Sequence, residues 1–147
     1  MAFVPGQFVW LNVGHSCFSH CEIPCGIYDD AARIAQMRED TVTIRKAVTN
    51  LGELAGKTDA QSVNQMIRWT TTKEMHASHI IEVVSEYFLT QKLKPVTAGQ
   101  DGREAYLESL AAHHAVMRAA MVTKQKADGE SVEALAAAIE MLAERWH

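Results

Sequence analysis

Apolar positions along this chain recur at helical spacing. Ile34, Met37, Thr41, Ile44, Val48 and Leu51 fall at alternating steps of three and four, which keeps one helix face apolar. Asp29 and Asp30 suit the start of that helix, as a cap and as acids near the positive end of its dipole, and Gly56 follows its end. A second helix is expected to start at Thr58 or Asp59, to align Val63, Met66, Thr70, Ala77, Ile80, Val84 and Tyr87 on one face, and to run to about Lys92, with Pro95 as the stop. After a loop with Gly99 and Gly102, a third helix carries Tyr106, Leu110, His113, Met117, Ala120 and Lys124 in one stripe. Asp128-Gly129 turns the chain into a short fourth helix with Val132, Leu135, Ile139, Leu142 and Trp146. No segment alternates as a strand would, and there is no internal repeat or low-complexity tract. The pattern predicts an all-α fold, an antiparallel four-helix bundle with shallow crossing angles.

Composition narrows the function classes. A chain of 147 residues that is 48% hydrophobic fits one domain with a sizeable core. Its net charge of -4 gives no reason to expect nucleic acid or an anionic membrane as a partner. No apolar run approaches the ~20 residues needed to span a bilayer. Residues 1–19 contain no Lys, Arg, Asp or Glu, so they lack the basic start of a secretory signal. They read as a short leader, and the expected compartment is the cytoplasm. The cysteines, Cys17, Cys21 and Cys25, are odd in number and confined to one short stretch. A disulfide framework would spread an even number along the chain, so this cluster favours thiol or metal chemistry in a reducing compartment.

The chemistry concentrates in His20-Cys21-Glu22-Ile23-Pro24-Cys25-Gly26-Ile27-Tyr28-Asp29. Two potential thiolates and an imidazole lie just before the first helix, and Pro24 and Gly26 favour a tight, non-helical course. Two thiolates so close invite a soft or borderline metal. Zinc fingers need a second ligand pair far along the chain, ferredoxins use other spacings, and thioredoxin-like sites need C-x-x-C in a βαβ setting. A di-iron bundle needs Glu-x-x-His on two helices, and this chain has it only at Glu144 to His147. The neighbours His76 and His79 on one helical face, and His113 and His114, which point apart, are expected to be partly buried or interface histidines. Met66, Met75, Met117 and Met121 are expected as core filler. Trp69 is expected to cover an interface between subunits. Arg38, Glu39, Arg45 and Lys46 are expected on a solvated face.

The run H-C-x-x-P-C-G-x-Y at the head of a four-helix chain resembles the nickel hook of nickel superoxide dismutase. Gly56-Lys57-Thr58-Asp59-Ala60-Gln61, Lys73-Glu74-x-His76, Tyr87-Phe88-Leu89-Thr90-Gln91 and His113-His114-Ala115-Val116 resemble one branch of that family. The resemblance implies three parts: residues 1–19, a leader removed by a maturation protease; residues 20–28, the hook; and residues 29–147, the bundle. Nickel, one ion per subunit, would be bound by the freed amine of His20, the amide nitrogen of Cys21 and the thiolates of Cys21 and Cys25. The His20 imidazole would be the axial ligand. The implied activity is disproportionation of superoxide by Ni(II)/Ni(III) cycling, in a homohexamer. Tyr28 would stand near the open face of the metal with Tyr87 as a second phenol, and Pro24 would carry a cis peptide bond. In one branch an Arg aligned with His76, acting through a carboxylate aligned with Ala35, helps hold the axial imidazole. This chain has neither side chain. Cys17 and His15 are additions to the pattern. The alternative from another class is an unprocessed, non-catalytic metal-binding or thiol-sensing bundle.

Overall fold

The computed structural model describes residues 26–146. It contains four α-helices: α1 (Asp30–Leu54), α2 (Ala60–Glu82), α3 (Arg103–Gln125) and α4 (Gly129–Ala143). A π-helical segment, Val83–Lys92, continues directly from α2. Successive helices pack side by side and α4 closes back on α1, giving the expected bundle. There is no strand among the described residues.

Local chemistry fixes where the helices start. Asp29, Asp59 and Asp128 each accept a hydrogen bond from the backbone N–H three residues on, at 2.9, 3.0 and 2.8 Å. Each bond satisfies a donor the helix leaves free. Gly102 starts α3 with φ 82, a left-handed conformation that only glycine adopts without strain. The core stripe of α1 is buried as expected through Ile34, Met37, Thr41, Ile44 and Val48, and that of α4 through Val132, Leu135, Ile139 and Leu142.

The face of α2 differs from the expected one. Val63 and Thr70 are exposed, and the inward line passes through Ser62, Lys73, Ala77 and Ile80, with Met66 and Trp69 half-buried along it. The first half of the stripe is thus rotated by about one residue, because two of its inward positions are polar. Ser62 belongs to the Asp59 cap. Lys73 reaches across the bundle and donates to the carbonyls of Thr123 and Lys124, in the last turn of α3. A cation satisfying free carbonyls at the negative end of a helix is favourable even when buried. Met75 is a second correction: it is 60% exposed and fills no core, since it faces away from that line. The charged face of α1 also does more than meet solvent. Arg38 pairs with Glu140 at 2.6 Å and Arg45 with Glu133 at 2.9 Å, both reaching across to α4.

The expected end of the second helix near Lys92 is right in position but changes in kind. Over the last ten residues the hydrogen bonds span five residues, as in Leu93 N–H to the Phe88 carbonyl at 2.8 Å. The wider turn directs Val83, Val84, Tyr87, Phe88 and Gln91 inward. Side chains support it: Thr90 donates to the Ser85 carbonyl at 2.7 Å and Gln91 to that of Glu86 at 3.1 Å. Trp146 lies beyond the end of α4, its ring 5.0 Å from that of Phe88, and its N–H donates to His113 Nε2 at 3.2 Å.

Candidate metal centre

His20, Cys21 and Cys25 lie outside the described residues, as do Pro24, Cys17 and His15. The structure takes up the chain at Gly26, whose φ of 78 sets a left-handed bend before Tyr28 and the start of α1. It brings Tyr28 and Tyr87 together, with ring centroids 5.8 Å apart and planes at 80°, a favourable edge-to-face contact. Tyr87 is buried at 4% exposure, while Tyr28 is 40% exposed.

Tyr87 comes from the π segment and Tyr28 from the run into α1, and a charged pair joins the two. The Tyr87 hydroxyl donates to Asp30 Oδ1 at 2.7 Å. Lys92 Nζ lies 3.0 Å from Asp30 Oδ2 and 4.7 Å from the centre of the Tyr28 ring. Arg33 stacks over Tyr87 at 5.3 Å. Burial pushes the Tyr87 phenol far above its ordinary range, and the neighbouring Asp30 carboxylate adds to the shift. Tyr87 is therefore a neutral phenol at any physiological pH.

Beyond Tyr87 a cleft of about 180 Å³ is lined by Arg33, Gln36, His79, Glu82, Glu86 and Tyr87. At its far side stands a cluster the sequence pattern did not reveal. Asp40 is buried on α1, and its two carboxylate oxygens accept from Nδ1 of His76 at 2.6 Å and of His79 at 2.7 Å. His79 Nε2 faces the Gln36 side-chain amide, whose nitrogen lies 3.2 Å from it. The partner of His76 is thus Asp40, while Ala35 is exposed and has no polar side-chain atom to offer. The available signal was Asp40's place beside Thr41 on the buried stripe of α1.

The family model for nickel-containing superoxide dismutase matches residues 15–147, nearly the whole chain and all of the hook motif. The chain belongs to that family. No curated protein and no solved structure matches it. The protein is therefore a nickel-dependent superoxide dismutase, an oxidoreductase whose substrate is superoxide, and the enzymatic expectation prevails over the thiol-sensing one. No helix among the described residues is long and apolar enough to cross a membrane.

The donor chemistry of the dismutase fits nickel. Among the described residues no group of three or more His, Cys, Asp or Glu side chains can hold a metal. Asp40, His76 and His79 consume their polar atoms largely on one another. The thiolates of Cys21 and Cys25 with the nitrogens of His20 would make a soft, strongly donating set suited to a borderline metal. In the sequence Tyr28 stands three residues after Cys25, and Tyr87 comes to it from the π segment.

Proposed function

We propose that His20, Cys21 and Cys25 hold one nickel ion per subunit after cleavage between Ser19 and His20, and that Tyr28 and Tyr87 shape the approach of superoxide. Family membership over residues 15–147, a span that includes the hook motif, carries this reading. Held by these residues, nickel would supply a one-electron Ni(II)/Ni(III) couple for the overall conversion of two superoxides and two protons to oxygen and hydrogen peroxide.

The chain's own groups supply the conditions. Thiolate and amide anions donate electron density that oxygen side chains do not, which brings a one-electron couple of nickel into reach. The α-amine of His20 exists only once the preceding peptide bond is cut, so leader removal by a protease gates activity. Tyr28 is the exposed phenol at the exit of the hook. Its hydroxyl has no hydrogen-bond partner among the described residues, which suits it to hydrogen-bond an entering anion. Tyr87 buttresses it from behind. Association into a homohexamer and residence in the cytoplasm complete the proposal.

The experiment is to measure nickel content and superoxide consumption of the chain beginning at His20, with Cys21→Ser and Cys25→Ser beside it. Each serine variant is expected to lose both stoichiometric nickel and activity. Full activity in either one rules out a dithiolate site, and the uncleaved chain should be inactive under the same conditions.

A further inference from the structure

We propose that Asp30 and Lys92 are positioning residues of the dismutase, forming with Tyr28 and Tyr87 a closed four-residue clamp that sets the orientation of the exposed phenol. The proposal rests on the hook reading above for its link to catalysis, and on the geometry of the described residues for the clamp itself.

The clamp closes in a circle. Asp30 Oδ1 accepts from the Tyr87 hydroxyl at 2.7 Å, and the Tyr87 ring meets the Tyr28 ring edge-to-face at 5.8 Å. The Tyr28 ring faces the Lys92 ammonium at 4.7 Å, and that ammonium returns to Asp30 Oδ2 at 3.0 Å. Both carboxylate oxygens are used. The cation is shared between a carboxylate and a π face, two interactions that reinforce one another when partly shielded from water. Asp30 and Lys92 are both about three-quarters buried.

The circle depends on the π segment. Tyr87 and Lys92 are five residues apart. On an α-helix, at 3.6 residues per turn, two such side chains point about 140° apart. In a turn whose hydrogen bonds span five residues they come close to the same side, so one carboxylate can reach both. The rare helix type therefore has a local purpose, in keeping with the tendency of π turns to occur at functional sites.

The clamp also separates the roles of the two phenols. Tyr87 spends its only proton on Asp30, so it is an anchor. Tyr28, with its hydroxyl unspent among the described residues, is left to face the substrate. The charged and titratable groups around Tyr87 are Tyr28 and the cap residue Asp29 ahead of α1, Asp30 and Arg33 from α1, His79 and Glu82 from α2, and Glu86 and Lys92 from the π segment. Asp30 accepts its proton, while the Asp29 backbone acts on the same hydroxyl in the opposite sense.

The test uses the chain beginning at His20, with Asp30→Asn, Asp30→Glu, Lys92→Met and Tyr87→Phe. In metal-free protein, tyrosinate absorbance is titrated, and the phenol missing in Tyr87→Phe is assigned to Tyr87. In Asp30→Asn that phenol should ionise lower, by on the order of one pH unit, because a carboxylate no longer opposes the phenolate. In nickel-loaded protein, the second-order rate constant for superoxide should fall by roughly tenfold in Asp30→Asn and Lys92→Met, because small misplacements near a reacting centre are costly. Nickel content should stay unchanged and Asp30→Glu should recover part of the rate. An unshifted Tyr87 titration in folded Asp30→Asn overturns the clamp. Full rates in both charge variants overturn its role in catalysis. A wild-type chain that binds no nickel overturns the hook instead, while the metal-free titration still decides the clamp.

Discussion

Asp40 ties two helices together from a position that pattern alone assigns to the core. Replacing it by Ala leaves two Nδ1 donors of His76 and His79 without their acceptor. Those imidazoles are about a third exposed, so water recovers part of the loss. Asp40→Ala should destabilise the fold by about 1–2 kcal/mol, read from the midpoint of urea unfolding. His113 is a different case, fully buried and neutral, donating from Nδ1 to the Ser109 carbonyl at 2.6 Å and accepting from Trp146. Burial holds its pKa below the ordinary value of 6.5. The unfolded chain therefore binds a proton that the native state refuses as pH falls below 6.5. Stability should decline from that point down to the depressed native pKa and then level off, and His113→Gln should lose this acid sensitivity in unfolding curves taken across that range. At this scale the closeness of Tyr28 to Tyr87 was legible, because their types and places match segments of the resemblance. Asp30, Asp40 and Lys73 were not, because a periodicity argument sends charged side chains outward unless it knows their partners.

At the scale of elements, caps and breaks were the most legible features, since Asp29, Asp59, Asp128 and Gly102 act through local geometry. Gly102 permits a direct check. Its φ of 82 strains any other residue, while no atom lies within 4 Å of an added Cβ. Gly102→Ala should therefore cost about 1 kcal/mol in thermal or urea unfolding, purely from the backbone, with activity retained. The π segment was illegible for a physical reason. Val83–Lys92 keeps an apolar alternation that either helix type satisfies, and the choice falls to the side-chain bonds of Thr90 and Gln91 and to packing of Phe88 against His113 and Trp146. The one-residue rotation of the stripe along α2 has the same origin. Ser62 and Lys73 point inward because a cap and a distant helix end receive them.

Across the whole molecule, the bundle follows from four amphipathic stripes and three short connections, and those were plain in the sequence. Some apolar surface remains uncovered in the single chain. Ile67 is 62% exposed and Val42 61%, with Met75 and Val63 on the same outer side of α2 as Ile67. Such a patch is costly to leave in water and suits burial between copies, consistent with the proposed hexamer. The double variant Ile67→Glu, Met75→Glu should shift sedimentation toward smaller species while leaving helical circular dichroism intact. An unchanged sedimentation profile would place the assembly contacts elsewhere.

The two extremities of the folded chain converge on one ammonium group. Lys92 stands 4.7 Å from the ring of Tyr28, near the head of the bundle, and 5.8 Å from that of Trp146, near its tail. During synthesis Tyr28 emerges first and Trp146 follows more than a hundred residues later. The enclosure around Lys92 is therefore incomplete on a nascent chain that has not reached Trp146. Should the proposed cut before His20 precede the arrival of Trp146, it would act on a chain whose Lys92 still lacks that ring.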